Sequence, residues 1–268
     1  MPTKYVTVDG TPLHYLHTGH TTLPGIAPDL SRGELLLFVH GAGSNAHTWH
    51  RQLAAFADRH SPVALDLPGH GRSGGTESLR SIEAYQACVC AFTERLAARS
   101  VVLVGRSMGG AVALACARAH PQRVRALVLV ATAARFDLPS RMLDMWRDVM
   151  RGRAPQPFTR DMFSPAADMA VVREGWMEQV KTDPRVRYHD LCACNDFDAR
   201  PWLAELRLPT LIIAGRDDTI TPLARSEELH AGIPGSRLVV IDDAGHTVPG
   251  ERPAEFNAAL SAFLDALR

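Results

Sequence analysis

Val101-Val102-Leu103-Val104-Gly105-Arg106-Ser107-Met108-Gly109-Gly110 is the stretch that decides the fold of this 268-residue chain. Its first four residues are apolar and mostly β-branched, which predicts a strand that is buried on both faces. The alanine-rich segment that follows, residues 111–117, predicts a helix. Ser107 therefore stands where a strand passes directly into a helix, and the chain must turn sharply at this residue.

The glycines on either side of Ser107 make such a turn possible. A Cβ atom at Gly105 or Gly109 would collide with the neighbouring strand or helix. The turn holds the serine hydroxyl clear of the sheet, at the positive end of the helix dipole, where an oxyanion is stabilised. The pattern Gly-x-Ser-x-Gly is weak by itself. Between a buried strand and a helix it favours a nucleophilic serine over a purely structural turn.

Composition limits the classes of function that remain open. The chain has 29 Lys plus Arg and 29 Asp plus Glu, so its formal net charge is zero. This balance argues against a nucleic-acid-binding surface and a basic membrane-binding patch, both of which need an excess of positive charge. The apolar runs are too short to span a bilayer, and the first residues lack the apolar core of a signal peptide. We expect a small-molecule partner, no nucleic acid and no membrane, in a monomer or a homodimer.

Five cysteines are spread along the chain without the spacing of a zinc site. We expect all five to be reduced and packed, as is usual in a cytoplasmic protein. Nothing in the sequence resembles a phosphate-binding loop or a ligand cluster, so we expect no cofactor and no metal.

Strands and helices alternate along most of the chain. Asp9-Gly10 between two short apolar segments predicts a hairpin, and residues 18–33, which include Pro24 and Gly25, predict a loop. Strands are predicted at 5–8, 13–17, 35–39, 63–66, 101–104, 124–131, 210–214 and 237–241, and helices at about 46–59, 81–98, 111–120, 222–231 and 253–267. This order predicts an α/β fold with a mainly parallel central sheet and flanking helices.

The alternation stops after the sixth predicted strand. Residues 132–203, here called the inserted segment, contain helix-like pieces at 139–150 and 166–181, separated by prolines. We expect this segment to form a helical cap on a core domain made of residues 1–131 and 204–268. Its many methionines and aromatic residues suggest an adaptable apolar pocket wall.

A serine hydroxyl needs a base, and the base needs a group that orients it. His246 follows the last predicted strand, and Asp217 and Asp218 follow the strand before it. Because the carboxyl ends of parallel strands meet at one edge of a sheet, these side chains should lie near Ser107.

These motifs resemble the α/β-hydrolase fold superfamily, of the cofactor-free serine esterase and lactonase type. The resemblance runs nearly end to end and is carried by His40-Gly41-x-Gly43, Asp66-x-Pro68-Gly69-x-Gly71-x-Ser73, Gly105-x-Ser107-x-Gly109-Gly110, Gly215-x-x-Asp218-x-x-x-Pro222 and Gly245-His246. The chain order of serine, aspartate and histidine is also that of this architecture.

The resemblance implies a role for each site residue. Ser107 would be the nucleophile, His246 the general base and then acid, and Asp218 the group that orients His246. Asp218 is favoured over Asp217 because the family places the acid three residues after the glycine. The backbone N–H groups of Ala42 and Met108 would form the oxyanion hole.

Several neighbouring residues have more than one interpretation. His40 and His70 lie in family turn motifs, which favours structural roles for both. Arg106 stands where a histidine or an aromatic residue is more usual, so it could line the edge of a pocket, although packing is the favoured interpretation. Glu251 fits helix initiation as well as a catalytic role.

The predicted reaction is hydrolysis of a small to medium carboxylic ester through an acyl-enzyme. Enol-lactone hydrolysis, carbon–carbon bond hydrolysis and peroxide-dependent perhydrolysis use the same three residues and stay open. A weakly catalytic ligand receptor on the same fold is the alternative from another class.

Overall fold

A single eight-stranded sheet forms the centre of the chain in this computed structural model, which describes residues 2–20, 22–23 and 26–267. The strands lie in the order β1-β2-β4-β3-β5-β6-β7-β8, and β3 to β8 are parallel to one another. They are β1 (Thr3–Val8), β2 (Thr11–His17), β3 (Leu35–Val39), β4 (Ser61–Leu65), β5 (Val101–Arg106), β6 (Val124–Val130), β7 (Thr210–Gly215) and β8 (Arg237–Ile241). The predicted α/β fold class is confirmed.

Helices cover both faces of the sheet. They are α1 (His50–Phe56), α2 (Ile82–Arg95), α3 (Met108–Ala119), α4 (Ser140–Met150), α5 (Met169–Gln179), α6 (Pro184–Asp196), α7 (Leu223–Gly232), α8 (Val248–Glu251) and α9 (Pro253–Asp265), with short 3₁₀ helices at Ala46–Trp49, Pro121–Arg123 and Arg200–Glu205. Successive residues of β5 point to opposite faces, so Leu103 packs with the cluster under α2 and α3, and Val104 with the cluster under α1 and α9. Burial on both sides explains the apolar run at residues 101–104 with which this strand begins.

The predicted hairpin is present at the first turn. Asp9 and Gly10 both have positive φ angles, 46° and 80°, and Val8 pairs with Thr11 across the turn. Two central residues with positive φ match the right-handed twist of the strands, and this conformation favours Asp-Gly. The second strand of the hairpin continues antiparallel to β4. Of the predicted loop at 18–33, Pro24 and Gly25 lie outside the described residues.

The helices differ from the predicted ones in two instructive ways: one ends earlier, and one was not predicted. The helix after β3 begins as a 3₁₀ turn and ends at Phe56, not near residue 59. Its predicted inner face is correct, since Trp49, Leu53 and Phe56 are buried. The sequence pattern missed α6 altogether, because two of the positions that this helix buries, Arg187 and Asp190, are charged and break the apolar periodicity.

The parallel strands bring three separate loops to one edge of the sheet. Arg106 at the end of β5 is level with Val130 of β6, and Gly215 at the end of β7 is level with Ile241 of β8. Ser107 and the segments that follow β7 and β8 therefore leave the sheet on the same side. The inserted segment, which contains α4, α5 and α6, leaves from this edge as well.

The five cysteines are all free thiols, with Cys116 and Cys194 buried. Within the part of the chain that the structure describes, no helix has the length and apolar character needed to cross a bilayer.

Candidate active site

Ser107 occupies a strained turn between β5 and α3. Its backbone has φ 53° and ψ −122°, a conformation that residues with a side chain rarely adopt. The turn is fixed by a hydrogen bond from Ser107 N to Val130 O of 3.0 Å and by one from Thr132 Oγ1 to Ser107 O of 2.7 Å. Backbone strain of this kind is typical of functional sites, where the surrounding structure maintains it.

The flanking glycines are required by close backbone contacts. A Cβ atom at Gly105 would lie 2.1 Å from the carbonyl oxygen of Gly109, and one at Gly109 would lie 2.3 Å from that of Val39. Both distances are far shorter than a van der Waals contact. The predicted reason for these two glycines is therefore correct.

Asp218 and His246 form a buried pair at the same edge of the sheet. Asp218 Oδ2 lies 2.8 Å from His246 Nδ1, and Asp218 Oδ1 accepts the backbone N–H groups of Ile220 and Thr221. Burial by itself raises the pKa of Asp218, but the facing imidazole and these hydrogen bonds outweigh it, so the pKa lies below its usual value. The carboxylate is therefore ionised at neutral pH and can hold the imidazole in one orientation.

Asp217 has a different partner. Its Oδ2 atom accepts a hydrogen bond of 2.6 Å from Ser164 Oγ in the inserted segment. The bonding pattern thus agrees with the choice of Asp218 over Asp217 as the partner of His246.

Thr221 is a third residue in contact with Asp218 and His246, and the sequence analysis missed it. Its hydroxyl donates to Asp218 Oδ2 at 2.8 Å and lies 3.2 Å from His246 Nδ1. An Asp followed by Thr three residues later is a common local hydrogen-bonding pattern, and this spacing is the signal that could have identified it.

Glu251 binds the loop that carries His246. Its carboxylate accepts the backbone N–H groups of Gly245 and Thr247 at 3.1 Å and the Thr247 hydroxyl at 2.8 Å. It also accepts Ser164 N at 2.8 Å, while His246 N donates to Met162 O at 2.8 Å. Glu251 therefore holds the histidine loop against the inserted segment.

Ser107 Oγ and His246 Nε2, both in the described part of the chain, make no hydrogen bond with each other. Arg106, the residue next to Ser107, contacts the carbonyl oxygen of His246 with Nη1 at 3.4 Å. Catalytic hydrogen bonds are often long in unliganded enzymes and shorten when substrate binds.

The loop after β3 lies directly against the serine. A Cβ atom at Gly41 would lie 3.0 Å from Ser107 Cβ. The N–H groups of Ala42 and Met108, the two predicted oxyanion donors, have no backbone acceptor within the described chain. Both are therefore available to an external acceptor.

A second buried network fixes this loop from the side of α6. Asp190, which is fully buried, lies 2.7 Å from His70 Nε2 and accepts Tyr85 OH at 2.6 Å and Gly43 N at 2.9 Å. Burial is the largest influence, raising the pKa of Asp190 and lowering that of His70. The attraction and hydrogen bond between the two reverse both shifts, so the pKa of Asp190 lies below, and that of His70 above, its usual value.

Arg187 completes the contact between α6 and the loop. Its Nη2 donates to Gly43 O at 2.9 Å, and its guanidinium lies 4.7 Å from the centre of the Trp146 ring. A Cβ atom at Gly43 would lie 2.2 Å from Arg187 Nε, and Gly43 has φ +59°. The inserted segment thus determines the position of the loop that contains Ala42.

His40 and His70, for which structural roles were predicted, take part in backbone and carboxylate contacts. His40 Nε2 accepts Leu67 N at 3.1 Å, and its Nδ1 lies 2.8 Å from Gly41 O. Burial is the main reason that the pKa of His40 falls to about 3, so this imidazole is neutral.

A cavity of about 60 Å³ opens between the inserted segment and this edge of the sheet. Ser107 and His246 do not line it, but their neighbours Arg106 and Thr247 do, together with Ala42. Of the apolar side chains expected to form a pocket wall, Met162 and Phe163 line the cavity. The wall also includes four charged side chains that the sequence did not suggest, namely Arg51, Arg106, Glu174 and Glu178.

Comparison with known proteins gives the class of this protein. Residues 36–259 match the model of the alpha/beta hydrolase family. The chain is 32% identical to the 2-hydroxy-6-oxo-2,4-heptadienoate hydrolase of Pseudomonas putida over 256 residues, covering 89% of this chain and 91% of that protein. The chain belongs to the alpha/beta hydrolase family, and it is a hydrolase enzyme of that fold.

Two solved structures of similar sequence are named for related reactions. A thermophilic esterase from Thermogutta terrifontis superposes with a TM-score of 0.82 at 26% identity, covering 98% of this chain and 97% of that one. The enol-lactonase of Burkholderia xenovorans superposes with a TM-score of 0.80 at 26% identity, covering 97% and 99%. Relatives of this chain thus include esterases and lactonases.

Proposed function

We propose that this protein hydrolyses a small to medium carboxylic ester through an acyl-enzyme on Ser107. The observation that carries the proposal is the 2.8 Å bond between Asp218 and His246 at the sheet edge where the strained Ser107 turn lies. A serine in such a turn with an oriented imidazole beside it is the arrangement that acyl transfer requires.

In the first half of the reaction, Ser107 Oγ attacks the carbonyl carbon while His246 Nε2 takes its proton. The tetrahedral intermediate then collapses, and His246 returns this proton to the departing alkoxide. Asp218 stabilises the imidazolium through Nδ1 and stays ionised throughout.

In the second half, His246 removes a proton from a water molecule that attacks the acyl carbon. Collapse of this second intermediate breaks the bond to Ser107 Oγ, which recovers its proton from His246 and releases the carboxylic acid. No cofactor enters either half.

Negative charge on the carbonyl oxygen is stabilised by the N–H groups of Ala42 and Met108. Fixed donors of this kind each contribute about 3 kcal/mol to lowering the barrier in acyl transfer. The free N–H groups at both positions support this role.

We assign the choice of substrate to the inserted segment, as a cap on the core formed by residues 1–131 and 204–268. Its residues Met162 and Phe163 line the cavity, and α6 fixes the loop that carries Ala42. A lactone is an internal ester, so similarity to an enol-lactonase supports lactone hydrolysis as a second activity of the same site.

The direct test replaces Ser107 by Ala and measures hydrolysis of p-nitrophenyl butyrate. We expect a folded protein whose turnover falls by about 10⁴-fold or more, because nucleophile and base act as one unit. Ser261→Ala in α9, a serine remote from the site, is the matched control and should retain full activity. Unchanged turnover in Ser107→Ala would reject the proposed nucleophile. A single turnover in the wild-type protein, followed by tight retention of the product, would favour a ligand receptor over an enzyme.

A further inference from the structure

Arg106 is a buried cation beside the proposed nucleophile, and the reaction above does not use it. Only 7% of its surface is exposed, and it lines the cavity between the sheet edge and the inserted segment. Sequence analysis favoured a packing role for this residue and left a place at the edge of a pocket open. In the structure, Arg106 lies in the cavity wall.

The guanidinium of Arg106 has only weak hydrogen-bonding partners. It reaches the carbonyl oxygen of His246 and the hydroxyl of Ser44, each at 3.4 Å, which is long for a charged donor. In the described part of the chain, no carboxylate lies within ion-pair distance of it. Asp218 and Glu251 attract it only from farther away.

The other charged side chains of the cavity wall are paired. Arg51 forms an ion pair of 2.7 Å with Glu174. Glu178 pairs with Lys181 at 2.6 Å. Among the described residues that line the cavity, Arg106 is therefore the one charged side chain without a direct counter-ion, and its charge is positive. A buried arginine in this state gains free energy from any anion that enters the cavity and accepts its N–H groups.

Arg106 is also close to the reacting centre. A Cβ atom built on Gly41 would lie 3.0 Å from Ser107 Cβ and 3.6 Å from Arg106 Nη2. Ser107 Cβ and the Arg106 guanidinium therefore both lie next to Gly41, in the loop that carries Ala42. Burial lowers the pKa of Arg106 to about 10, so the side chain keeps its charge at neutral pH.

We propose that Arg106 binds a carboxylate group of the substrate, so that the preferred substrate is a small ester which also carries a free carboxylate. This inference rests on the proposed ester hydrolysis and adds the chemical class of the substrate. The planar guanidinium suits a carboxylate because two N–H groups can bind its two oxygens.

Matched esters test the proposal. Monoethyl glutarate carries a carboxylate in its acyl part, and ethyl 5-methylhexanoate replaces that carboxylate by an isopropyl group of similar shape. Butanoyl glycolate and isobutyl butanoate form the same comparison in the alcohol part. Proton release gives kcat/KM for each ester. We expect wild type to favour the charged member of at least one pair by about 10- to 100-fold, as a charge-assisted hydrogen bond allows.

Substitutions show whether Arg106 causes that preference. Arg106→Gln should abolish it by slowing the charged ester alone, and Arg106→Lys should retain part of it. The double variant Arg51→Gln with Glu174→Gln, the matched control, removes a paired arginine of the same cavity together with its counter-ion and should leave the ratio between the two esters unchanged. A purely structural Arg106 would slow both esters equally, and that result would overturn the proposal. Equal rates for charged and neutral esters in the wild-type protein would also overturn the proposal, and this result does not depend on the folding of any variant.

Binding of glutarate separates this proposal from the proposed reaction. Titration calorimetry should detect glutarate binding to wild type and a loss of about 10-fold or more in affinity in Arg106→Gln. If no ester is hydrolysed but glutarate binding depends on Arg106, ester hydrolysis is wrong and the anion site stands. If esters are hydrolysed and glutarate binding is absent or unaffected by the substitution, the anion site is wrong.

Discussion

Replacing Asp190 by Asn tests how the inserted segment holds the loop that carries Ala42. The substitution keeps the size of the side chain and removes the charge that faces His70 at 2.7 Å. Both side chains of this pair are completely buried. Removing one partner of a buried ion pair costs about 3–5 kcal/mol, because the other charge is left without compensation. We expect the free energy of unfolding to fall by this amount at about pH 6, measured by urea denaturation.

The pH dependence follows from the two pKa shifts. The raised pKa of His70 means that the stabilisation by its proton is fully present below the unfolded value of 6.5 and is lost as the pH rises through the folded pKa. The lowered pKa of Asp190 has no effect in this range, because its stabilisation is lost only in acid. The destabilisation by Asp190→Asn should therefore become smaller as the pH is raised from about 6 to about 9.

Tyr85→Phe is the matched control for this prediction. It removes one hydrogen bond to Asp190 and leaves the charged pair in place. It should cost about 2 kcal/mol at either pH, because the lost hydrogen bond is to a charged group. An effect of Asp190→Asn no larger than that of the control, or one that does not change between the two pH values, would refute the account of this network.

Three further predictions concern the site itself. Asp218→Asn should lower kcat for p-nitrophenyl butyrate by about 10⁴-fold, as in other triads, whereas Asp217→Asn should have a mild effect; the reverse order would reassign the acid. Glu251→Gln should lower kcat by about 10-fold with little change in KM, because weaker acceptors loosen the His246 loop; unchanged steady-state kinetics would exclude this role. Gly109→Ala should lower the midpoint of thermal unfolding strongly, because its Cβ would lie 2.3 Å from Val39 O. Gly250→Ala is the control, because a Cβ there has open space, and equal midpoints in the two variants would contradict the packing argument.

Local signals in the sequence were sufficient to predict most of the fold. Short-range sterics account for the positive φ angles at Asp9-Gly10 and for the glycines around Ser107. Burial on both faces accounts for the apolar run at residues 101–104 of β5. The neighbourhood of Asp218 and His246 was also predictable, because parallel strands place their carboxyl ends together.

The parts that the sequence did not predict depend on contacts between residues far apart in the chain. Helix α6 was missed because its buried positions Arg187 and Asp190 are polar, and their partners on Gly43 and His70 lie more than a hundred positions away. The role of Glu251 was open because most of its partners are backbone N–H groups, which leave no trace in residue types. The sequence also could not predict whether Arg106 has a close counter-ion. That property depends on which other charged side chains of the cavity are already paired with one another.

Covalent labelling with a fluorophosphonate, followed by peptide mass spectrometry, tests the central claim most directly. The serine oxygen displaces fluoride from phosphorus, so the adduct marks the residue that acts as nucleophile. We predict one adduct per chain, on Ser107, with esterase activity lost in proportion to labelling and no adduct in Ser107→Ala. An adduct on another residue that accounts for the lost activity, or full activity in completely labelled protein, would contradict the account.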